Sequence, residues 1–187
     1  MAKVKLTGWK QKRPYIIQAP EKFDYHELGT TISSDPKLLI GRTISMSLAD
    51  LTSDRAKQHL LVVFEVIEVA GDKAKTKFKR FGIQAGYLKS KIRKGMSKID
   101  YQSDLIIADA TLRIKIIVLT SQHLTTPKRK DIASSIGRVL AKYKEATLDE
   151  FVQQVLFGKI GHDIYKKVKK ICPVGRVEVF EIKKISA

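Results

Sequence analysis

Cysteine is nearly absent from this 187-residue chain, with Cys172 standing alone. One thiol excludes an intrachain disulfide and a thiolate-rich zinc centre, and such usage fits a reducing cytosol. Long apolar runs are missing too. The longest strongly apolar run, Leu60 to Phe64, falls far short of the roughly 18–20 residues a membrane helix needs. The start, Met1-Ala2-Lys3-Val4-Lys5-Leu6, is basic but lacks the apolar stretch of a signal peptide, so a soluble, non-exported chain is expected. The histidines His26, His59, His123 and His162 are scattered, without a metal-ligand spacing such as H-E-x-x-H. Gly82-Ile83-Gln84-Ala85-Gly86-Tyr87 lacks the Gly-Lys-Ser/Thr ending of a phosphate loop. There is no G-x-S-x-G elbow, zinc knuckle or RNA-recognition-motif aromatic pair. No cofactor and no metal site is expected.

Acid is the scarce charge. Against 36 Lys+Arg stand 19 Asp+Glu, leaving +17, while 43% hydrophobic residues is ordinary for a folded protein. The length suits one large domain, or a core with a helical appendage, and such a chain buries roughly 70% of its unfolded surface without a covalent staple. Self-repulsion at such a charge opposes compaction, so the excess answers to a partner. A membrane reader gathers its cations in one amphipathic helix or juxtamembrane tract. Here they are spread over several segments, which favours a nucleic acid over an anionic membrane or an acidic protein.

The patterning predicts an α+β fold, an antiparallel β-sheet or β-barrel-like core with a C-terminal helical segment. Residues 1–22 form a basic segment with Lys3, Lys5, Lys10, Lys12 and Arg13, in which Tyr15 to Ala19 reads as a strand stopped by Pro20. Residues 23–121 are mainly β. Thr43 to Leu48 is a strand followed by a polar corner, Ala49 to Asp54. Gln58 to Ala70 and Lys73 to Phe81 make a hairpin around Gly71-Asp72. Ile99 to Ile107 and Thr111 to Leu119 make another. A two-residue loop at 108–109 or at 109–110 keeps both apolar sets on one side and sets Asp104 near Arg113 or Lys115.

Residues 122–173 turn helical. Ile132, Ile136, Val139, Leu140 and Tyr143 share one face, and Thr147 with Glu150 makes a capping box. Leu148, Phe151, Val152, Val155 and Leu156 form the next buried face, with Gly158 where that helix stops. Ile160, Ile164, Val168 and Ile171 give a third helix ended by Pro173. In residues 174–187 a terminal strand, Val177 to Ile185, is expected to rejoin the sheet.

Lys73 to Ile99 is the most informative stretch for function. It holds Lys73, Lys75, Lys77, Lys79, Arg80, Lys89, Lys91, Arg93, Lys94 and Lys98, and no acid. The first four alternate along a strand, so their ammonium groups form a row about 6.8 Å apart that suits a phosphate backbone. A solvated edge strand also uses lysine, but needs fewer. Phe78 lies on the side opposite the lysines and is expected in the core.

Lys128-Arg129-Lys130 stands where the first long helix starts. Either these cations oppose the helix dipole until an anion binds there, or the helix begins at Asp131 and the triplet is loop. Lys166, Lys167, Lys169 and Lys170 fall in the last turns of a helix, where the dipole already favours them. A magnesium-dependent RNA-processing enzyme would need carboxylates. Asp50 with Asp54, or Asp100 with Asp104, are the available pairs, though turn formation and cross-strand pairing explain them better. A non-sequence-specific DNA-compacting chromatin protein is the remaining alternative.

Leu39-Ile40-Gly41-Arg42-Thr43-Ile44-Ser45-Met46-Ser47-Leu48-Ala49-Asp50-Leu51 resembles the signature of the archaeal and eukaryotic small-subunit ribosomal protein family S-three-A-E, or eukaryotic-type S-one. Ser45 replaces the usual acidic residue of that motif. Ala19-Pro20 with Phe23, Phe81-Gly82, and Ile160-Gly161-His162-Asp163-Ile164 before Pro173 agree. Ala110 stands where glycine is frequent. The likeness spans roughly residues 15–184 and, lacking lysine-rich extensions, is of archaeal type. It implies a non-catalytic structural constituent of the small ribosomal subunit, cytoplasmic in the ribosome. The implied site is the platform near the messenger-RNA exit. Implied partners are small-subunit rRNA and neighbouring ribosomal proteins, with messenger RNA and initiation factors beyond them. Arg42 is the contact candidate within the motif.

Overall fold

The structure is a computed structural model and describes residues 12–186. Lys3, Lys5 and Lys10 of the basic N-terminal segment lie outside the described residues. The chain divides into two compact units, Met1–Arg80 and Phe81–Ala187.

In the first unit β1 (Arg13–Gln18) pairs antiparallel with β2 (Glu27–Ser33) and parallel with the start of β5 (Lys73–Ile83). That parallel pair is the exception in an otherwise antiparallel set of pairings among the described registers. β3 (Thr43–Ser47) pairs antiparallel with β4 (Leu60–Ala70), Ile44 facing Phe64 and Met46 facing Val62. β4 then turns through Gly71-Asp72 into β5, its neighbour in the sheet. Alternation directs the burial. Val62, Phe64 and Val66 of β4 and Ala74, Thr76 and Phe78 of β5 point inward. Phe64 is fully enclosed and meets the Phe23 ring edge-on at 5.3 Å, and burying such a side chain contributes about 1.5–3 kcal/mol. The polar corner after β3 is a five-residue helix, α1 (Leu48–Thr52), because Ser47 caps it by accepting from the Ala49 N–H at 3.2 Å.

The second unit carries α2 (Ala85–Lys91), the antiparallel strands β6 (Lys98–Ile106), β7 (Thr111–Thr120) and β8 (Val174–Ser186), and three helices between β7 and β8. Those are α3 (Thr126–Leu140), α4 (Leu148–Leu156) and α5 (Lys159–Val168). In the β6–β7 hairpin Ile106 faces Thr111, and the Ile107 N–H donates to the Ala110 carbonyl at 3.0 Å. The loop is therefore Ala108-Asp109, one of the two placements the pattern allowed. Leu112, Ile114, Ile116 and Val118 form the expected inner face of β7. Ile117 and Leu119 are buried on its other face, where Leu88 of α2 and Phe180 of β8 cover them.

The helices bury most of the predicted faces: Ile132, Ile136, Val139 and Leu140; Phe151, Val152 and Val155; Ile160, Ile164 and Val168. Tyr143, Leu148, Leu156 and Ile171 are half-buried, and α5 ends at Val168, short of Pro173. The capping box at Thr147 and Glu150 is present in both directions. The terminal strand rejoins the sheet on β7 and is longer than the alternation indicated.

Candidate nucleic-acid interface

The predicted cations fall into separate settings. On β5, Lys73, Lys75 and Lys77 are exposed, Lys79 is half-buried and Arg80 exposed, while Ala74, Thr76 and Phe78 anchor the intervening positions in the core. The row is thus held on rigid backbone, as the alternation required. The expectation that no acid compensates it is corrected by the hairpin. The Lys75 ammonium lies 3.3 Å from a Glu68 carboxylate oxygen, and the Lys79 ammonium 2.9 Å from one of Glu65. Both acids come from β4, so a scan along the β5 segment misses them. Lys73 and Lys77 have no carboxylate partner among the described residues.

The other half of the stretch belongs to the second unit. Lys89 is exposed on α2, Arg93 and Lys94 are exposed in the following loop, and Lys98 pairs with Asp100 at 2.9 Å. Lys91 is half-buried, its ammonium 5.0 Å from the centre of the Tyr87 ring. The Arg176 guanidinium of β8 lies 5.9 Å from the same ring and also donates to the Tyr87 hydroxyl. A cation-flanked tyrosine is a surface on which an RNA base can stack. Tyr87 just before Lys89 makes base stacking conceivable from the sequence, but the Arg176 contribution comes from a remote part of the chain and has no local signal.

Lys128, Arg129 and Lys130 lie inside α3, which begins at Thr126 with Pro127 next, so the helix does not wait for Asp131. No side chain caps this N-terminus and its first turn holds no acid. Arg129 is drawn toward Ser97, whose hydroxyl oxygen takes the Leu124 N–H at 3.0 Å and the guanidinium at 3.4 Å. Near this helix Cys172 is buried. Burial pushes its thiol above the ordinary value, with Lys128 pulling the other way.

Arg42 has a different setting. Its Nε donates to the Leu38 carbonyl at 3.0 Å, and one terminal nitrogen donates to Thr31 Oγ1 at 3.1 Å and to the Ile32 carbonyl at 3.4 Å. The guanidinium ties β2 to the short 3₁₀ turn Pro36–Leu39. Its neighbour Gly41, at φ +85°, donates to the Val66 carbonyl at 2.9 Å, a left-handed conformation that suits glycine. Ser47 caps α1 and Leu48 is fully buried. The motif that carries the family likeness therefore builds the joint around β3.

Three of the four candidate magnesium carboxylates are engaged otherwise, while Asp50 is exposed in the first turn of α1. Asp54 accepts from the Ala56 N–H at 3.0 Å and pairs with Lys57 at 3.3 Å, and these hold its carboxyl below the usual range. Asp104 is gripped by Arg113 and Asp100 pairs with Lys98. No group of three His, Cys, Asp or Glu side chains that could hold a metal occurs among the described residues. No helix among them is long and apolar enough to cross a membrane.

Comparison with known proteins agrees with the sequence likeness. The model of the Ribosomal S3Ae family matches residues 2–187. A small ribosomal subunit protein eS1 from Desulfurococcus amylolyticus is 38% identical over 181 residues, covering 94% of this chain and 83% of that protein. The protein of the same description from Sulfurisphaera tokodaii is 35% identical, covering 96% of this chain and 94% of its own. One from Archaeoglobus fulgidus is 37% identical, covering 93% and 84%.

Proposed function

The chain belongs to the Ribosomal S3Ae family and is a structural constituent of the small ribosomal subunit rather than an enzyme; from that premise we propose that it binds small-subunit rRNA through its basic surfaces. The observation that carries this reading is the β5 row, with Lys73 and Lys77 unpaired by acid and every second residue locked in the core. Such a row presents fixed positive charges without losing backbone order on binding. Each phosphate it meets releases condensed counterion, and that release drives association. Lys89, Arg93, Lys94, Lys128 and Lys130 add exposed cations from the second unit.

The fine placement proposed is the platform near the messenger-RNA exit, beside the 3′ end of the small-subunit rRNA. Neighbouring ribosomal proteins, messenger RNA and initiation factors are the further partners within reach there. Affinity of the full chain for protein-stripped small-subunit rRNA should fall about 10³–10⁵-fold between roughly 50 and 200 mM salt, as six to ten phosphate contacts require. A nearly flat response removes the mechanism. Hydroxyl radicals generated at position 77 in assembled subunits should cut rRNA near its 3′ end, and cuts confined elsewhere remove the placement.

A further inference from the structure

Between α3 and α5 lies a groove of about 370 Å³ lined by Ser135, Arg138, Val139, Lys142, Lys167 and Ile171. Its composition differs from that of the β5 row. Val139 is buried and Ile171 half-buried, so the floor is aliphatic, while the rim carries three exposed cations and no acid. Arg138, Lys142 and Lys167 have no carboxylate partner among the described residues. The guanidinium of Arg138 is oriented by the Ser135 hydroxyl, to which it donates at 3.3 Å. Ser135, Arg138 and Lys142 follow one another at three- and four-residue spacing, so they share a face running from α3 into the turn behind it.

An acid one turn before Lys167 is already engaged. Asp163 of α5 accepts from the Tyr143 hydroxyl at 2.7 Å. Burial first and this carboxylate second push the tyrosine up to about 12, so it stays a neutral donor and adds no negative charge beside the groove.

A duplex backbone asks only for a line of cations. An apolar floor under a cationic rim asks for a ligand with an apolar face and an anionic edge, and an unpaired nucleotide has both. The geometry points to a binding site for one unpaired, extruded RNA nucleotide, its base against Val139 and Ile171 and its phosphate held by Arg138, Lys142 and Lys167. Arg138 is the residue suited to stacking on the base as well as to contacting phosphate, because its planar guanidinium does both. This inference rests on the RNA-binding reading above and adds a single-strand subsite to it. Cations at the C-terminal ends of α3 and α5 also complement the helix dipoles, but that role needs no shared groove with an aliphatic floor.

The test uses the full chain with two probes, a single-stranded oligoribonucleotide carrying 4-thiouridine and a duplex of the same sequence. Irradiation should attach the single strand to peptides spanning 135–142 or 167–171, and the duplex should compete poorly. The R138A/K142A/K167A variant should lose those cross-links and reduce the salt slope for the single strand by about 0.7, the value for the one phosphate that the three cations hold. The charge-retaining K142R/K167R variant should keep both, and thermal unfolding of each variant shows that the fold survives. Cross-links on β5 with none on α3 or α5 would overturn this subsite and leave the general RNA reading intact. Absence of RNA binding at low salt would overturn both. Lysine-reactive cross-linking of Lys142 or Lys167 to another ribosomal protein within assembled subunits would show the groove to be a protein contact, and the inference would be wrong.

Discussion

Lys79 of β5 and Glu65 of β4 are joined across their hairpin by a 2.9 Å contact, so a cation offered to RNA is already held by an acid of the same sheet. Lys75 and Glu68 repeat the relation at 3.3 Å, both side chains more than half exposed. Exposed pairs of this kind stabilise little and yield readily to a competing anion. The acids engage the two ammonium groups and so oppose their engagement with phosphate.

Removing those acids should therefore strengthen RNA binding. Glu65→Gln with Glu68→Gln frees two lysines, and each one that then meets a phosphate steepens the salt slope by about 0.7–0.9, the span from single strands to B-form DNA. Titrating the double variant against small-subunit rRNA over a range of salt should give higher affinity at low salt and a steeper line. An unchanged slope would mean that these two lysines face away from the RNA.

Arg42 should behave as a structural residue. Its guanidinium reaches Leu38, Thr31 and Ile32 together, and a lysine cannot reproduce that planar fork. Arg42→Lys should cost about 1–2 kcal/mol of stability, the scale of a lost charge-assisted hydrogen bond. Denaturant unfolding reads that loss. RNA affinity, measured where both proteins are folded, should stay within about twofold, which on the tenfold-per-1.4 kcal/mol scale is well under 1 kcal/mol. A large affinity loss at unchanged stability would restore Arg42 as an RNA contact.

What the sequence reveals depends on whether a pattern can be checked against itself. The β6–β7 hairpin passes because two apolar sets and one charge pair must agree on a register, and Asp104 opposite Arg113 is the consequence. The helices after residue 125 repeat their apolar positions often enough to be read. Helix α2 is invisible because only Leu88 of its residues is buried, and a single apolar residue has no period. Strand β2 hides for a similar reason, with Leu28 and Ser33 as its buried positions. The compensating acids also escape notice. Glu65 and Glu68 are three apart, so strict alternation puts them on opposite faces, yet β4 loses its alternation after Val66 and Ile67 and Glu68 are both exposed. The groove lining and the Tyr87–Arg176 pair join remote segments, so neither has a local signature.

Acid should weaken the second unit through Asp104. Arg113 grips this carboxylate at 2.8 and 3.0 Å, and the bond holds its pKa below the ordinary 3.8 while raising that of Arg113. A carboxyl depressed on folding contributes stability that is fully present above its unfolded value and is lost as pH falls through the folded one. Comparison of the parent with Asp104→Asn across pH should show their difference largest near neutrality and vanishing below the carboxylate range. A difference that persisted at the acid end would assign the effect to side-chain shape rather than charge.

Helix α4 gives the sharpest test of local sequence rules, because nine residues cannot hold a helix by propensity alone. Its start depends on Thr147, whose hydroxyl accepts from the Glu150 N–H while the Glu150 carboxylate takes the Thr147 N–H. Thr147→Ala should cost about 1 kcal/mol, and Thr147→Ser should recover most of it. Its end depends on Gly158, at φ +73°, where an added Cβ would meet nothing within 4 Å. Gly158→Ala should therefore lose about 1–2 kcal/mol through the backbone alone. The two sites flank the helix without touching, so their losses should add within roughly 0.5 kcal/mol in denaturant unfolding. If Gly158→Ala cost nothing, the turn between α4 and α5 would have to relax out of the left-handed region, and the path of α5 would no longer follow from that glycine.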